Sequence, residues 1–286
     1  MSPLRNKIRV LPGHRRMPPH LRMAKGVYLL PNLVTSGGLF CGFYAIISTF
    51  KEEYRLAAIA ILIALVFDAL DGRVARITKS SSRFGVEYDS LSDVVAFGVA
   101  PGVLAYRWAL EPWGVWGWLA ASLYVICGAL RLARFNVQAD VVDKQSFVGL
   151  PIPAAAGVIA TTILMYYFLG GEGTTNKHIT LLLLIYALAG LMVSTIPYFS
   201  FKELPLGRRQ PFWLLILGII LIQLTIAEPQ LMLFGIFASY ALSGPIRAVV
   251  RLGRGSVPGE GAEAEQALTR FHHQPRALDS DNKSSL

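Results

Sequence analysis

The sequence predicts an all-α membrane protein, a polytopic bundle of about eight transmembrane helices. Three observations carry that expectation. First, 53% of the 286 residues are hydrophobic and 16% charged, and mean hydropathy is +0.48, whereas soluble domains are about a quarter charged. Second, the apolar residues gather into stretches close to the ~20 residues that a helix needs to cross a bilayer. Third, the cations alternate between loops. With the N-terminus inside, the cytoplasmic ends hold Arg73, Arg76, Lys79, Arg83, Arg131, Arg134, Lys144, Lys202, Arg208, Arg209, Arg247, Arg251 and Arg254. The opposite ends hold Lys51, Arg55, Arg107 and Lys177. This bias fits an even number of spans with both termini cytoplasmic.

In chain order, residues 1–26 are a basic arm carrying Arg5, Lys7, Arg9, Arg15, Arg16, Arg22 and Lys25. Such an arm is expected to lie on anionic headgroups, and it lacks the apolar core of a signal peptide. Spans are expected at approximately 29–50, 56–76, 84–108, 113–133, 149–169, 178–198, 211–227 and 230–250. The second and third are half-polar and would escape a strict hydropathy cut. They are retained because their carboxylates would face the bundle and not lipid. Residues 253–286, rich in Gly, Ala, Glu, Ser and Asp, are expected to form a disordered cytoplasmic tail. The net charge of +9 sits on one set of loops, which points to a membrane surface and away from nucleic acid. Cys41 and Cys127 fall inside apolar stretches without ligand spacing and read as packing residues.

Chemistry concentrates in Asp68-Ala-Leu-Asp71-Gly72-Arg-Val-Ala75-Arg76 and, after eight residues, Gly85-Val-Glu-Tyr-Asp89-Ser-Leu-Ser-Asp93. Asp68 and Asp71 are three apart and Asp89 and Asp93 four apart, so each pair shares a helix face. At about 100° per residue from Asp68, Asp71 lies near −60°, Gly72 near +40°, Ala75 near −20° and Arg76 near +80°. The stripe thus carries carboxylates and the two smallest side chains, leaving room for a bulky group flanked by a cation. Four anions at a bilayer edge repel and are costly to desolvate unless divalent cations lie between them. Hard oxygen donors suit Mg²⁺ together with substrate phosphate oxygens, and an arginine beside them suits a pyrophosphate.

The pattern Asp-x-x-Asp-Gly-x-x-Ala-Arg-x(8)-Gly-x(3)-Asp-x(3)-Asp resembles the signature of the CDP-alcohol phosphotransferases, and every signature position is matched. The resemblance implies a six-helix catalytic core over residues 27–200, working as a homodimer in the cytoplasmic membrane with its active site facing the cytoplasm. Residues 201–252 would then be two additional helices. It implies two divalent ions, Mg²⁺ or Mn²⁺. Asp68 and Asp89 would bridge them, Asp71 would ligate the first, and Asp93 the second while also serving as catalytic base. Gly72, Arg76 and Ser82 match CDP-contacting positions. Pro31-Asn32-Leu-Val-Thr35 resembles an element lining the nucleotide site, so Asn32 and Thr35 join that set; from its own residue type Asn32 would read as a helix cap.

Within the family, Arg131-Leu-Ala-Arg134-Phe135-Asn136, Phe147-Val-Gly149-Leu150-Pro151-Ile-Pro153-Ala154-Ala155, and the run from Asp89 through Phe97-Gly98 to Pro101 resemble the phosphatidylserine synthase branch. That implies CDP-diacylglycerol and L-serine as substrates. The planar guanidinium fork of Arg131 suits the serine carboxylate, with Arg134, Phe135 and Asn136 beside it. The arginines also fit as ordinary cytoplasmic-end charge. Two other readings remain open from sequence: another acceptor (glycerol 3-phosphate, inositol phosphate or choline), and, from a different class, a divalent-cation transporter lined by intramembrane carboxylates.

Overall fold

The structure, a computed structural model, describes residues 29–78, 82–139, 147–174, 178–198 and 212–253. The basic arm 1–26, the tail beyond 253, and Lys79, Lys144, Lys177, Lys202, Arg208 and Arg209 lie outside the described residues. Eight helices occupy the described part, one for each expected span. They are α1 (Leu29–Phe50), α2 (Tyr54–Thr78), α3 (Arg83–Trp113), α4 (Val115–Ala139), α5 (Ile152–Phe168), α6 (Ile179–Val193), α7 (Phe212–Ala227) and α8 (Pro229–Gly253). The only pairing of extended chain among the described residues joins β1 (Phe147–Val148) antiparallel to β2 (Pro197–Tyr198).

Four helices, α1, α3, α4 and α8, are long and apolar enough to cross a membrane outright. This is a multi-pass helical membrane protein. The half-polar α3 passes that criterion; α2 does not, because Arg55, Asp68, Asp71, Arg73 and Arg76 interrupt it. At 17 and 15 residues, α5 and α6 are shorter. The outward side of α1 exposes Leu33, Phe40, Phe43 and Phe50, each by more than half, a surface suited to acyl chains and not to water.

Small residues draw the first three helices together. A Cβ added to Gly42 of α1 would fall 2.6 Å from the Ala96 Cα of α3, and one on Gly37 would fall 2.8 Å from the Phe67 ring of α2. Ala57, Ala58, Ala60 and Ala64 bury the facing stripe of α2. Without a water-driven hydrophobic term inside a bilayer, such backbone approach is what holds helices in register. Here it brings the aspartate-bearing ends of α2 and α3 beside the start of α1.

α3 is not a uniform α-helix. Residues Val94–Val99 and Tyr106–Leu110 are π-helical, and Glu111–Trp113 closes it as a 3₁₀ turn. Pro101 cannot donate a backbone hydrogen bond to the carbonyl of Phe97 four residues earlier. The hydroxyl of Tyr124, fully buried on α4, donates to that carbonyl instead at 3.0 Å. The core runs along this middle stretch of α3, against α4 and α5.

Candidate active site

Three carboxylates converge where α2 and α3 meet. Ligand oxygens of Asp68, Asp71 and Asp89 all lie within 4.8 Å of one another. Asp71 is 6% exposed, while Asp68 and Asp89 are half-buried. Among the described residues none of the three is in an ion pair; the ion pairs there join Arg107 to Glu52 and Glu111. Asp93, one turn beyond Asp89, is not within that spacing, but it lies in the electrostatic field of all three and of Arg131.

α1 holds the trio from the other side. The Thr35 hydroxyl lies 3.0 Å from Asp71 Oδ2, to which it can donate, and 3.1 Å from the Pro31 carbonyl. Thr35 therefore orients one carboxylate as well as lining the site. Ser92 of α3 donates to the Thr35 carbonyl at 3.3 Å, and the hydroxyls of Ser36 and Tyr88 meet at 2.9 Å. These two links between α1 and α3 fix the wall opposite α2.

A cleft of about 420 Å³, open mouth included, opens onto Asp71 and Asp89 of the trio. Pro31, Asn32 and Thr35 line it from α1, and Asp71, Gly72 and Ala75 from α2. Ser82, Gly85, Val86 and Asp89 complete it from the head of α3. A Cβ on Gly72 would meet nothing within 4 Å, so the glycine leaves the cleft open above Asp71. At Gly85 a Cβ would come within 3.2 Å of both Asn32 Oδ1 and Ser82 Oγ. The missing side chain lets two polar groups approach the same point. Ser82 caps α3, its Oγ accepting from the Gly85 backbone N–H at 2.9 Å. Asn32 sits inside the first turns of α1 and not at a cap position, so its side chain is free to serve the cleft. Arg76 is within α2, but its side chain lies outside the described part.

The α4 residues divide. Arg131 is 9% exposed and lies in electrostatic range of Asp93, and its Nε has no hydrogen-bond partner among the described residues. Asn136 donates to Ser90 Oγ at 2.8 Å, tying the end of α4 to α3 beside Asp89. Arg134 and Phe135 are exposed. What the sequence did not reveal is the support given to Asp71 by Thr35 and the Ser36–Tyr88 link. The available signal was two hydroxyl residues at the start of an otherwise apolar span.

The donor set fits a hard divalent cation. Three carboxylates are brought together, one almost fully buried, without a described cationic partner, and a divalent cation held among them would relieve their mutual repulsion.

Comparisons agree with this arrangement. The profile of the CDP-alcohol phosphatidyltransferase family matches residues 28–227. A CDP-diacylglycerol–serine O-phosphatidyltransferase of Helicobacter pylori (strain ATCC 700392 / 26695) is 40% identical over 224 residues, 77% of this chain and 91% of that protein. One from Mycobacterium tuberculosis (strain ATCC 25618 / H37Rv) is 33% identical over 228 residues, 78% of this chain and 79% of that protein. An archaetidylserine synthase of Methanothermobacter thermautotrophicus is 36% identical over 171 residues, 59% of this chain and 69% of that protein. With its carboxylates gathered beneath an open cleft and a family match that runs through most of its helices, the chain belongs to the CDP-alcohol phosphatidyltransferase family.

Proposed function

We propose that this protein transfers the phosphatidyl group of CDP-diacylglycerol to the hydroxyl of L-serine, yielding phosphatidylserine and CMP. The relatives named for that reaction at 33–40% identity support it. The single structural observation that carries the chemistry is the Asp68–Asp71–Asp89 trio beneath an open cleft. Asn32, Gly72, Ser82 and Arg76 would hold the CDP moiety there, with Thr35 keeping Asp71 aimed at the ions. Asp68, Asp71, Asp89 and Asp93 would hold two divalent ions, Mg²⁺ or Mn²⁺. Such ions supply charge neutralisation on phosphate oxygens and orientation of attacking and leaving groups.

The residues do the rest. Asp93 takes the proton from the serine hydroxyl as that oxygen bonds to the phosphorus carrying diacylglycerol. The bond from this phosphorus to the bridging oxygen breaks, and CMP departs toward Arg76. Arg131, buried beside Asp93, pairs with the serine carboxylate and turns the hydroxyl toward the base. A small zwitterion without phosphate takes its orientation from such charge-assisted contacts. A cation transporter would instead call for polar groups along the mid-bilayer stretches of several helices. Cation flux without CMP release would favour that reading.

The test is CMP release by the purified full chain with CDP-diacylglycerol, Mg²⁺ or Mn²⁺, and a panel of alcohols. Serine is expected to support release. Release with glycerol 3-phosphate or inositol phosphate, and none with serine, would replace the acceptor assignment. Arg131→Lys is expected to raise the serine KM by about tenfold or more, since lysine cannot reproduce a bidentate fork. The KM for CDP-diacylglycerol should stay near normal. Unchanged serine kinetics would move the carboxylate anchor away from Arg131.

The proposed setting is the cytoplasmic membrane, as a homodimer, with the cleft facing the cytoplasm. In a background lacking Cys41 and Cys127, a cysteine at Ser82 should react with impermeant reagent only from the cytoplasmic side. One at Glu172 should react only from the other. Labelling of both from one side would break this topology, and cross-linking in native membranes that yields only monomer would remove the dimer.

A further inference from the structure

The head of α3 presents two sets of side chains in two directions. Over Arg83–Asp93 it is regular α-helix. Tyr88 and Ser92, each one residue before Asp89 and Asp93, therefore lie about 100° around the axis from the carboxylates. Asp89 turns toward Asp68 and Asp71 of α2. The two hydroxyls meet α1 instead, Tyr88 at Ser36 and Ser92 at the Thr35 carbonyl. The Phe84 ring, one turn earlier, stacks on the Tyr88 ring at 5.9 Å and 9°, so the phenol is held along its face as well as at its tip.

Counting protons fixes the polarity of the Ser36 contact. A serine hydroxyl has one proton to donate and lone pairs to accept with. Ser36 Oγ donates to the Asn32 carbonyl at 2.7 Å, so in its 2.9 Å contact with the phenol the donor is Tyr88. The bonds run one way, from Tyr88 through Ser36 to Asn32, and hydrogen bonds in such a chain strengthen one another. A serine bonded back to the carbonyl four residues earlier bends the local helix path. Here that carbonyl belongs to Asn32, whose side chain lines the cleft with Ser82 and Gly85. Asn32 Oδ1 stands close to the α3 backbone, 3.2 Å from where a Cβ on Gly85 would be. Tyr88 does not line the cleft itself.

We infer that Tyr88 is a positioning residue for the nucleotide half of the substrate, acting through Ser36 on Asn32. This rests on the reading of Asn32 as a contact of the CDP moiety. Adjacent residues of one helix thus serve both parts of the cleft, Asp89 the ions and Tyr88 the wall that receives the nucleotide.

The experiment measures CMP binding to the purified full chain by calorimetry in detergent with saturating Mg²⁺, together with steady-state kinetics. The variants are Tyr88→Phe alone, on a Ser36→Ala background and on an Asn32→Ala background. Tyr88→Phe removes one oxygen and keeps the stacked ring, and size-exclusion checks the fold. It is expected to raise the CMP Kd and the KM for CDP-diacylglycerol about fivefold, the scale of one neutral hydrogen bond. The serine KM and kcat should stay within about twofold. On either background Tyr88→Phe should add less than about twofold, because residues acting through one another are not additive. If Ser36→Ala does not fold, the Asn32→Ala background alone decides. An unchanged CMP Kd in Tyr88→Phe overturns the inference. So does a fivefold rise that persists on the Asn32→Ala background. A matching rise in the serine KM or fall in kcat overturns it too, by assigning the effect to the general seating of α1 on α3. Failure of the underlying readings shows differently. An unaltered chain that binds no CMP with Mg²⁺ removes the nucleotide site and the inference with it. A chain that binds CMP but transfers to another alcohol leaves the expected CMP values as they stand, since no acceptor enters the binding measurement, and a fivefold rise in Kd supports the inference there.

Discussion

Asp89→Ala is expected to lower CMP release on the order of 10³-fold in protein that still inserts and folds, because several kcal/mol of charge stabilisation at the phosphate would be lost. Asp68→Ala and Asp71→Ala should match it. Excess chelator should do the same to the unaltered chain, with activity restored by Mg²⁺ or Mn²⁺. The three ligand oxygens lie within 4.8 Å, so deleting one would remove a ligand from any ion held among them. Thr35→Val supplies a graded companion. It removes the hydroxyl 3.0 Å from Asp71 Oδ2 but no ligand, and orienting partners of metal ligands are commonly worth about 10–100-fold. Binding gives a second readout, since added Mg²⁺ should raise the melting temperature of the unaltered chain and not of Asp89→Ala. Full turnover in chelator, or aspartate variants with near-normal rates, would defeat the metal-assisted reading.

The eight helices and the aspartate face of α2 were legible because they depend on local pattern. A stretch of apolar residues marks a span wherever it packs, and the 3.6-residue period alone puts Asp68, Asp71 and Ala75 on one side. Even the half-polar α2 could be placed, since its carboxylates, Asp68 and Asp71, fall on the face that turns out to meet Thr35 of α1 and Asp89 of α3. The contact between Thr35 and Asp71 was not legible, because it spans 36 positions and depends on the register between α1 and α2. That register is set by Gly37 against Phe67, where the informative atom is the absent one. Sequence put Arg131 ahead of Arg134 as the carboxylate anchor without a packing reason to prefer it. Both read as cytoplasmic-end charge, and only packing reveals that the first is buried near Asp93 while the second is exposed. The π-helical turns of α3 were likewise hidden, although Pro101 marked where its ladder would need help from Tyr124.

Asp93→Asn is expected to cost about 10²–10⁴-fold in turnover at saturating serine, the usual worth of general-base assistance. Asparagine keeps the volume and one carbonyl oxygen but cannot accept the hydroxyl proton. The position argues for this role over a purely ligating one. Asp93 is outside the tight trio, and Asp68, Asp71, Asp89 and Arg131 are all in its electrostatic range. On the proposed reading it would receive the serine hydroxyl proton while bond formation proceeds at the phosphate. Two measurements separate the roles. If Asp93 acts mainly as base, Asp93→Asn should bind CDP-diacylglycerol with near-normal affinity and show little change in the metal concentration giving half-maximal rate. A large shift in that metal requirement, with turnover recovered at high Mg²⁺, would instead make it a ligand alone. Turnover within a few-fold of the unaltered chain at ordinary Mg²⁺ would remove it from proton transfer and require another group near the acceptor hydroxyl to serve as base.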